Sequence, residues 1–508
     1  MKLPFKSSRW WLLLFSGALY PLGMAPFNFW PAVIISLGFF FYQLNPTKSA
    51  KETFLISVCF GFGIFITGTS WVYVSIHEYG FIPMPFAFLA TVLFCLFISA
   101  LFSIPFVLLR FMPDKTSTYL FGLPSLLVLS EYFRLFAFSG FPWLFAGYSH
   151  TNTVLSGWAT VGGVLIVSYI CGFLASFLSQ IFREKENLKP ILKLNLLIIV
   201  TISGGYILQN IEWSKSTNEE IEVALIQPNI NQAEKWSGAK RKEILKQLKT
   251  QTLPYLNNDL IIWPEAALPS IPQNLPQFLE EIKDLSTTYK SKLVSGAITY
   301  EQGTQEFFNS IIDLSSASFQ YDKSKLVPFG EYVPFERLLR GIIKFFDLPM
   351  SSISKGDAGN TLLPIKSSYI SANICYEVVY PDFIARNSSG ANLILTLSND
   401  AWFGASIGPK QHMQMAQMRA IENSKPVIRV TNNGITGVID HKGNFVKTLP
   451  QFVQSELELS VTGRSGETFY NRVRSYLVLF LVVMTCICLL YTSPSPRDMR
   501  RSRMPSSA

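Results

Sequence analysis

The sequence has few histidines, few charged residues and a single cysteine outside its apolar segments. Its second half contains only His412 and His441, and no group of Cys, His or acidic residues has the spacing of a metal site. We interpret both histidines as ordinary polar residues and expect neither a metal ion nor any other cofactor. The chain also lacks the G-x-G-x-x-G and Walker fingerprints of nucleotide-binding proteins.

The scarcity of charge favours a membrane protein over an ordinary soluble one. Charged residues make up 15% of the 508 residues, whereas soluble proteins contain about 25%. Hydrophobic residues make up 49%, including 42 phenylalanines. The net charge of +9 does not indicate nucleic-acid binding, because the second half has no basic stripe with interleaved aromatic residues. This composition is typical of a protein that crosses a membrane several times.

Long apolar segments indicate where the chain crosses the membrane. The hydrocarbon core of a bilayer requires about 20 apolar residues in each helix. By this criterion we predict a membrane α-helical bundle. Its eight transmembrane helices are predicted near residues 8–24, 28–45, 53–75, 84–110, 117–138, 153–182, 191–209 and 473–491.

Lysine and arginine residues alternate between the predicted loops. They are concentrated before the first span and after the second, fourth and sixth spans. By the positive-inside rule the N-terminus lies in the cytoplasm, and the long segment after the seventh span lies on the opposite side, the periplasm of a bacterium with two membranes. The predicted parts are residues 1–212 with spans one to seven, 218–462 as a periplasmic domain, 473–491 as the eighth span, and 492–508 as a disordered tail that we interpret as non-native.

Strand-like and helical segments alternate in the predicted periplasmic domain. Short apolar runs such as 260–263 and 393–397 have the composition of buried strands. Helical patterns occupy 240–252, 275–289 and 410–423. Strands interleaved with helices predict a layered α/β domain.

Cys375 is the one cysteine of this domain. It follows the strand-like run 369–374 and has no nearby cysteine with which to form a disulfide. A lone thiol of this kind is either a buried structural residue, which is the commoner case, or a nucleophile. The other five cysteines lie in apolar segments, at Cys59, Cys95, Cys171, Cys486 and Cys488.

Charged residues also follow apolar runs elsewhere in the domain. Glu265 comes directly after one strand, Lys323 and Glu331 bracket an apolar turn, and Glu377 lies two residues beyond Cys375. Each alone is well explained by a surface ion pair or a helix cap. Together they predict a base, a cation and a thiol at the ends of adjacent strands, where α/β sheets place their sites. Glu265 would then accept a proton, Lys323 would stabilise both thiolate and oxyanion, and these neighbours would raise the thiolate fraction of Cys375.

Three separated motifs resemble the apolipoprotein N-acyltransferase family. They are WPEAA at 263–267, YDKSKLVPFGE at 321–331 and ICYE at 374–377, and the likeness extends to GFPW at 140–143. The resemblance implies a nitrilase-like αββα sandwich with a Glu-Lys-Cys triad. The resemblance also implies a substrate-binding role for Trp236, for which a surface aromatic in a mobile loop is an equally good interpretation. The implied roles are general base for Glu265, oxyanion stabiliser for Lys323, nucleophile for Cys375, and supporting or substrate-binding residues for Trp236, Asn309, Glu331, Tyr376 and Glu377.

The resemblance further implies a two-step acyl transfer in the bacterial inner membrane. A fatty acyl chain would pass from a phospholipid, phosphatidylethanolamine, to a cysteine thioester and then to the α-amine of an S-diacylglyceryl apolipoprotein. Nothing in the sequence demands more than a monomer.

Three alternatives stay open at this point. One is a membrane-tethered amidase or nitrilase that hydrolyses a small carbon–nitrogen substrate. Another is an inactive lipid- or lipoprotein-binding scaffold. A transporter has the least support, because intramembrane acids are few and Glu131 with Arg134 is explained by a pair near one end of a span.

Overall fold

The computed structural model describes residues 7–183, 195–316, 318–332, 352–357, 359 and 361–492. Within these, residues 7–70, 88–208 and 475–492 form one compact unit, and residues 71–87 and 209–474 form a second. The tail predicted at 492–508 lies outside the described residues, apart from Thr492. In chain order the α-helices are α1 (Ser7–Leu19), α2 (Pro31–Gln43), α3 (Ala50–Gly68), α4 (Trp71–Val74), α5 (Met84–Ser103), α6 (Leu123–Arg134), α7 (Ala159–Arg183), α8 (Asn195–Asn210), α9 (Arg241–Thr252), α10 (Pro276–Tyr289), α11 (Pro381–Asn387), α12 (Gly408–Asn423), α13 (Phe469–Val473) and α14 (Tyr476–Tyr491).

Apolar helices make up the first unit. Among the described residues, three helical segments are long and apolar enough to cross a membrane, and they match the predicted spans 53–75, 84–110 and 153–182. Helices α2, α8 and α14 are apolar but shorter, and they overlap three further predicted spans. Helices that could cross a membrane are therefore present, and the count of eight stays a prediction. The three long segments are Ala50–Gly68, Met84–Phe111 and Val154–Arg183.

Small residues bring α1 and α3 together. A Cβ atom at Gly17 would collide with the carbonyl oxygen of Phe60, and one at Gly63 would collide with that of Leu14. Glycine at both positions therefore allows the two backbones to touch, as is common where apolar helices pack without a hydrophobic driving force between them.

The two buried charged residues of α6, Glu131 and Arg134, bind main-chain groups, whereas the sequence analysis explained them as a pair. Glu131 accepts a hydrogen bond from the Ala146 N–H through Oε1 at 2.7 Å. Arg134 donates to the Trp143 carbonyl at 2.8 Å. Both side chains are almost fully buried. Each thus satisfies main-chain groups of the 143–146 segment, which would otherwise be buried without partners.

The predicted span 53–75 ends too late. Helix α3 ends at Gly68, and the second unit begins at Trp71. Ser75 donates to the Trp402 carbonyl at 2.7 Å, and the Trp71 ring meets Phe403 edge-on with 4.7 Å between centroids. These contacts hold residues 71–75 in the second unit. A hydropathy pattern cannot predict them, because they depend on residues far along the chain.

Two six-stranded sheets form the second unit, in the orders β12-β1-β2-β3-β4-β5 and β11-β10-β9-β8-β7-β6. The pairs β1–β2, β2–β3, β7–β8 and β8–β9 are parallel, and the remaining pairs are antiparallel. The strands are β1 (Ser214–Gln227), β2 (Leu260–Ile262), β3 (Lys292–Glu301), β4 (Glu306–Asp313), β5 (Gln320–Asp322), β6 (Leu362–Ile365), β7 (Ser368–Ile374), β8 (Leu393–Ser398), β9 (Val427–Thr431), β10 (Gly437–Ile439), β11 (Phe445–Thr448) and β12 (Ser455–Gly466).

Side chains alternate between two apolar layers. On β1, Val223 and Leu225 join a core that includes Ile374 of the other sheet, while Ala224 and Ile226 pack with α9 and α10. This alternation follows from the two-residue period of a strand. Helix α12 covers the second sheet at β9. The predicted αββα sandwich is therefore confirmed.

Candidate active site

Glu265 lies just beyond the carboxyl end of β2. The preceding apolar run is fully buried, and Glu265 itself is 7% exposed. Gly296 of β3 makes room for it, because a Cβ atom there would lie 2.6 Å from the Glu265 Cα. The Gly296 carbonyl accepts from the Ala267 N–H at 2.8 Å, which holds the turn against β3. The carboxylate is thereby fixed at the end of the first sheet where β2 terminates.

Lys323 follows the carboxyl end of β5, at the same end of the first sheet. Its ammonium is 1% exposed and lies 2.9 Å from Glu331 Oε1 and 3.4 Å from Glu265 Oε1. Burial lowers the pKa of Lys323, but the Glu331 and Glu265 carboxylates outweigh burial and raise it above its usual value. Lys323 is therefore a permanent cation at neutral pH.

Cys375 follows β7 in the second sheet. The residue is partly buried and has a φ of 47°, which non-glycine residues rarely adopt. Burial raises the pKa of its thiol well above the usual value, and Glu265 raises it further, while Lys323 lowers it. The expectation of an increased thiolate fraction is therefore wrong. The resting group is a thiol, so any reaction in which this sulfur attacks would need a base to remove its proton.

The three groups do not lie on adjacent strands, contrary to the prediction. β3 and β4 separate β2 from β5, and β7 belongs to the other sheet. The strand-end rule itself is correct, since each residue follows the carboxyl end of its strand. Sheet order is set by long-range pairing and is not readable from chain order.

Glu377 connects the two sheets. Its carboxylate accepts from the Ile374 N–H at 2.8 Å on one side. On the other it accepts from the Ser324 N–H at 2.8 Å and the Tyr321 hydroxyl at 2.7 Å. The side chain is fully buried, and burial raises its pKa while these bonds oppose the rise. One carboxylate thus ties the strand end before Cys375 to the strand end before Lys323.

We expect Glu377→Gln to lower both stability and activity. An amide nitrogen cannot accept the bonds that one carboxylate oxygen now receives, so at least one buried N–H loses its partner. The free energy of unfolding should fall by about 1–3 kcal/mol, and acylation of Cys375 should slow at least roughly tenfold because positioning is lost. Denaturant unfolding and single-turnover acylation measure the two effects. The exposed Glu458→Gln on β12 is the matched control, and equal behaviour of the two variants would refute the bridging role.

The remaining predicted residues also lie in this region. Asn309 donates through Nδ2 to Glu265 and Glu331, both at 2.8 Å, so it links the two carboxylates around Lys323. Tyr376 is buried with its ring edge-on to Tyr380. Trp236 is partly buried against a small apolar cluster that includes Ala266, the neighbour of Glu265, so it is not a fully exposed loop aromatic.

Two buried basic groups were missed by the sequence analysis. Lys235 is 1% exposed and donates to the Glu265 carbonyl at 3.2 Å, and burial lowers its pKa to about 8. No pattern marks a single lysine in a loop. The interpretation of His412 as an ordinary polar residue is wrong, because it is buried against Asp400, Arg429 and the Cys375 carbonyl. Asp400 had a detectable signal, since it follows an apolar strand as Glu265 does.

No group of His, Cys, Asp and Glu that could hold a metal ion occurs in the described part of the chain.

Two family models match the chain. One is described as the apolipoprotein N-acyltransferase N-terminal domain and matches residues 16–177, and the other, carbon-nitrogen hydrolase, matches residues 222–462. Among solved structures, a CN-hydrolase superfamily protein from Xanthomonas campestris is 16% identical with a TM-score of 0.37, covering 52% of this chain and 97% of its own.

Curated relatives are similar over almost the whole length. The apolipoprotein N-acyltransferase of Pseudomonas paraeruginosa is 39% identical over 91% of this chain and 92% of its own. That of Pseudomonas syringae pv. tomato is 37% identical over 94% of each chain. That of Vibrio cholerae is 36% identical over 90% of this chain and 92% of its own. With both halves matched and relatives of this similarity, the chain belongs to the apolipoprotein N-acyltransferase family.

Proposed function

We propose that this chain transfers a fatty acyl group from a membrane phospholipid, phosphatidylethanolamine, to the α-amine of the S-diacylglyceryl cysteine of an apolipoprotein. Glu265 is the general base, Lys323 the oxyanion stabiliser and Cys375 the nucleophile. The observation that carries the proposal is the buried contact between Lys323 and Glu265, whose charges both act on the Cys375 thiol. Membership of the family supplies the reaction class.

In the first step the Cys375 sulfur attacks the ester carbonyl of the phospholipid. Glu265 takes the thiol proton as the carbon–sulfur bond forms, and the Lys323 ammonium stabilises the oxyanion. The ester carbon–oxygen bond then breaks, and Glu265 returns the proton to the departing oxygen. The products are a lysophospholipid and a thioester on Cys375.

In the second step the neutral α-amine of the acceptor attacks the thioester. Glu265 takes a proton from the amine nitrogen, the carbon–sulfur bond breaks, and the proton passes back to the Cys375 sulfur. An amide is formed and the resting thiol is regenerated. The high pKa of that thiol favours its reprotonation and so resets the enzyme.

The membrane helices have an energetic purpose in this reaction. Moving a 16-carbon chain from the bilayer into water costs on the order of 10 kcal/mol of free energy, at about 0.8 kcal/mol per methylene. A catalytic domain at the membrane surface avoids this. We propose eight spans in the bacterial inner membrane, a cytoplasmic N-terminus, a periplasmic catalytic domain within 218–462 and a monomeric enzyme. The charge alternation of the loops supports the orientation.

The proposal is tested with purified protein in phosphatidylethanolamine vesicles. The Cys375 peptide should gain the mass of one acyl chain, and hydroxylamine should remove it. A synthetic peptide beginning with S-diacylglyceryl cysteine should then discharge the thioester and acquire the acyl group in equal amount.

The same lipopeptide with an acetylated α-amine is the control and should leave the thioester intact. If fatty acid is released at the same rate with either peptide and no acylated peptide forms, the enzyme is a hydrolase and the proposal fails. Vesicles that contain only phosphatidylglycerol test the headgroup assignment separately.

A further inference from the structure

The main chain at Cys375 is strained, and something must hold it. A φ of 47° at a non-glycine residue is unfavourable and persists only where surrounding contacts enforce it. On the amino side, the Ile374 N–H is bound by Glu377 at 2.8 Å. On the carboxyl side, the Cys375 carbonyl oxygen lies 3.2 Å from His412 Nε2. This second contact has no part in the chemistry described so far.

The contacts of the two His412 ring nitrogens indicate its protonation form. A carbonyl oxygen only accepts, so Nε2 carries the hydrogen. On the other side of the ring, Nδ1 lies 3.0 Å from Arg429 Nη2, which only donates, and 3.1 Å from Asp400 Oδ1. Arg429 also binds both oxygens of Asp400, at 3.0 and 2.7 Å, and so balances that carboxylate.

Electrostatics agree with this arrangement. Burial lowers the pKa of His412 and the Arg429 cation lowers it further, while Asp400 and the Cys375 carbonyl raise it by less. The imidazole is therefore neutral at pH 7, with Nδ1 accepting from Arg429. The edge of the Phe403 ring packs against the imidazole with 5.9 Å between centroids, which restricts rotation of the ring.

We propose that His412 is a positioning residue for the nucleophile, and that its Nε2–H bond to the Cys375 carbonyl fixes the peptide between Cys375 and Tyr376. That peptide is planar, so one bond to its oxygen sets the direction of its N–H as well. The sulfur and the adjacent main chain are then held for attack before the lipid arrives. This inference rests on the proposed role of Cys375 as nucleophile.

Two variants of similar size isolate the bond. His412→Gln places an amide N–H close to the position of Nε2, whereas His412→Asn keeps a polar group towards Asp400 and Arg429 without the reach to Cys375. Thioester formation should slow roughly 10- to 100-fold in His412→Asn, and His412→Gln should recover most of that loss. Stability, measured by denaturant unfolding, should fall similarly in both. His441→Gln is the control outside the site.

Equal loss in both variants would reduce His412 to a packing residue, and normal rates in both would remove its role. A measurement on the unaltered protein covers the case in which His412→Asn fails to fold. The chain has only 4 histidines, so the nitrogen NMR spectrum of ¹⁵N-histidine-labelled protein is simple. At pH 7, His412 should show a protonated Nε2 and an unprotonated Nδ1. The opposite tautomer, with an unprotonated Nε2 and a protonated Nδ1, would overturn the proposal. If the proposed function failed because Cys375 carried no acyl group, this tautomer would be unaffected.

Discussion

Cys375→Ala should give a folded protein that acquires no hydroxylamine-sensitive acyl group and transfers none to a lipopeptide. Removal of the nucleophile should lower the rate by at least about 1000-fold, because no other group at the site can form the thioester. Cys375 is only partly buried and packs against the core rather than within it, so the free energy of unfolding should change by about 1 kcal/mol or less. Intact-protein mass spectrometry after incubation with phosphatidylethanolamine vesicles measures the adduct.

Cys488→Ala is the matched control, since Cys488 is an exposed cysteine of α14. It should retain full acylation. Adduct persisting at the normal level in Cys375→Ala would place the nucleophile elsewhere. A third variant reports on the backbone: Cys375→Gly should be more stable than Cys375→Ala by about 1 kcal/mol, since glycine adopts a φ of 47° without strain. Equal stability would indicate that this strain is absent.

Local features of the catalytic unit were readable from the sequence. The run before Glu265 is apolar because β2 is covered on both faces, and a charged residue directly after such a strand has no place in the core. Helices α9, α10 and α12 begin and end within two residues of the predicted 240–252, 275–289 and 410–423. In each case the signal lies in neighbouring residues, which share one element and one environment.

Features that depend on distant segments were not readable. β1 pairs with β12 across more than 200 residues, so the sheet order was hidden and the three site residues were assigned to adjacent strands. The sequence did not distinguish His412 from an ordinary polar residue, because its polar partners Asp400 and Arg429 lie on other elements. The prediction of a lowered pKa for the Cys375 thiol was wrong, because burial depends on distant segments. The burial that raises the thiol pKa most was not visible. Glu265 and Lys323 were both visible, but the Glu265 charge raises the thiol pKa and opposes Lys323.

The second large effect is expected for Glu265→Gln. The amide oxygen can still accept from Asn309, and Lys323 keeps its 2.9 Å contact with Glu331, so the fold and the cation should remain in place. The lost function is proton acceptance. Acyl transfer should fall by about 10²- to 10⁴-fold, the usual contribution of a general base. Glu280→Gln, on the exposed face of α10, is the control and should transfer normally.

The thiol provides an independent readout of the same substitution. The Glu265 charge raises the pKa of Cys375, so its removal should lower that pKa and increase the thiolate fraction at a given pH. Alkylation of the Cys375 peptide by iodoacetamide, followed against pH, should therefore shift to lower pH in Glu265→Gln while transfer collapses. More thiolate with less catalysis is the signature of a missing base, because a merely damaged site would lose both reactivities. Near-normal transfer, or an alkylation profile shifted to higher pH, would refute this role of Glu265.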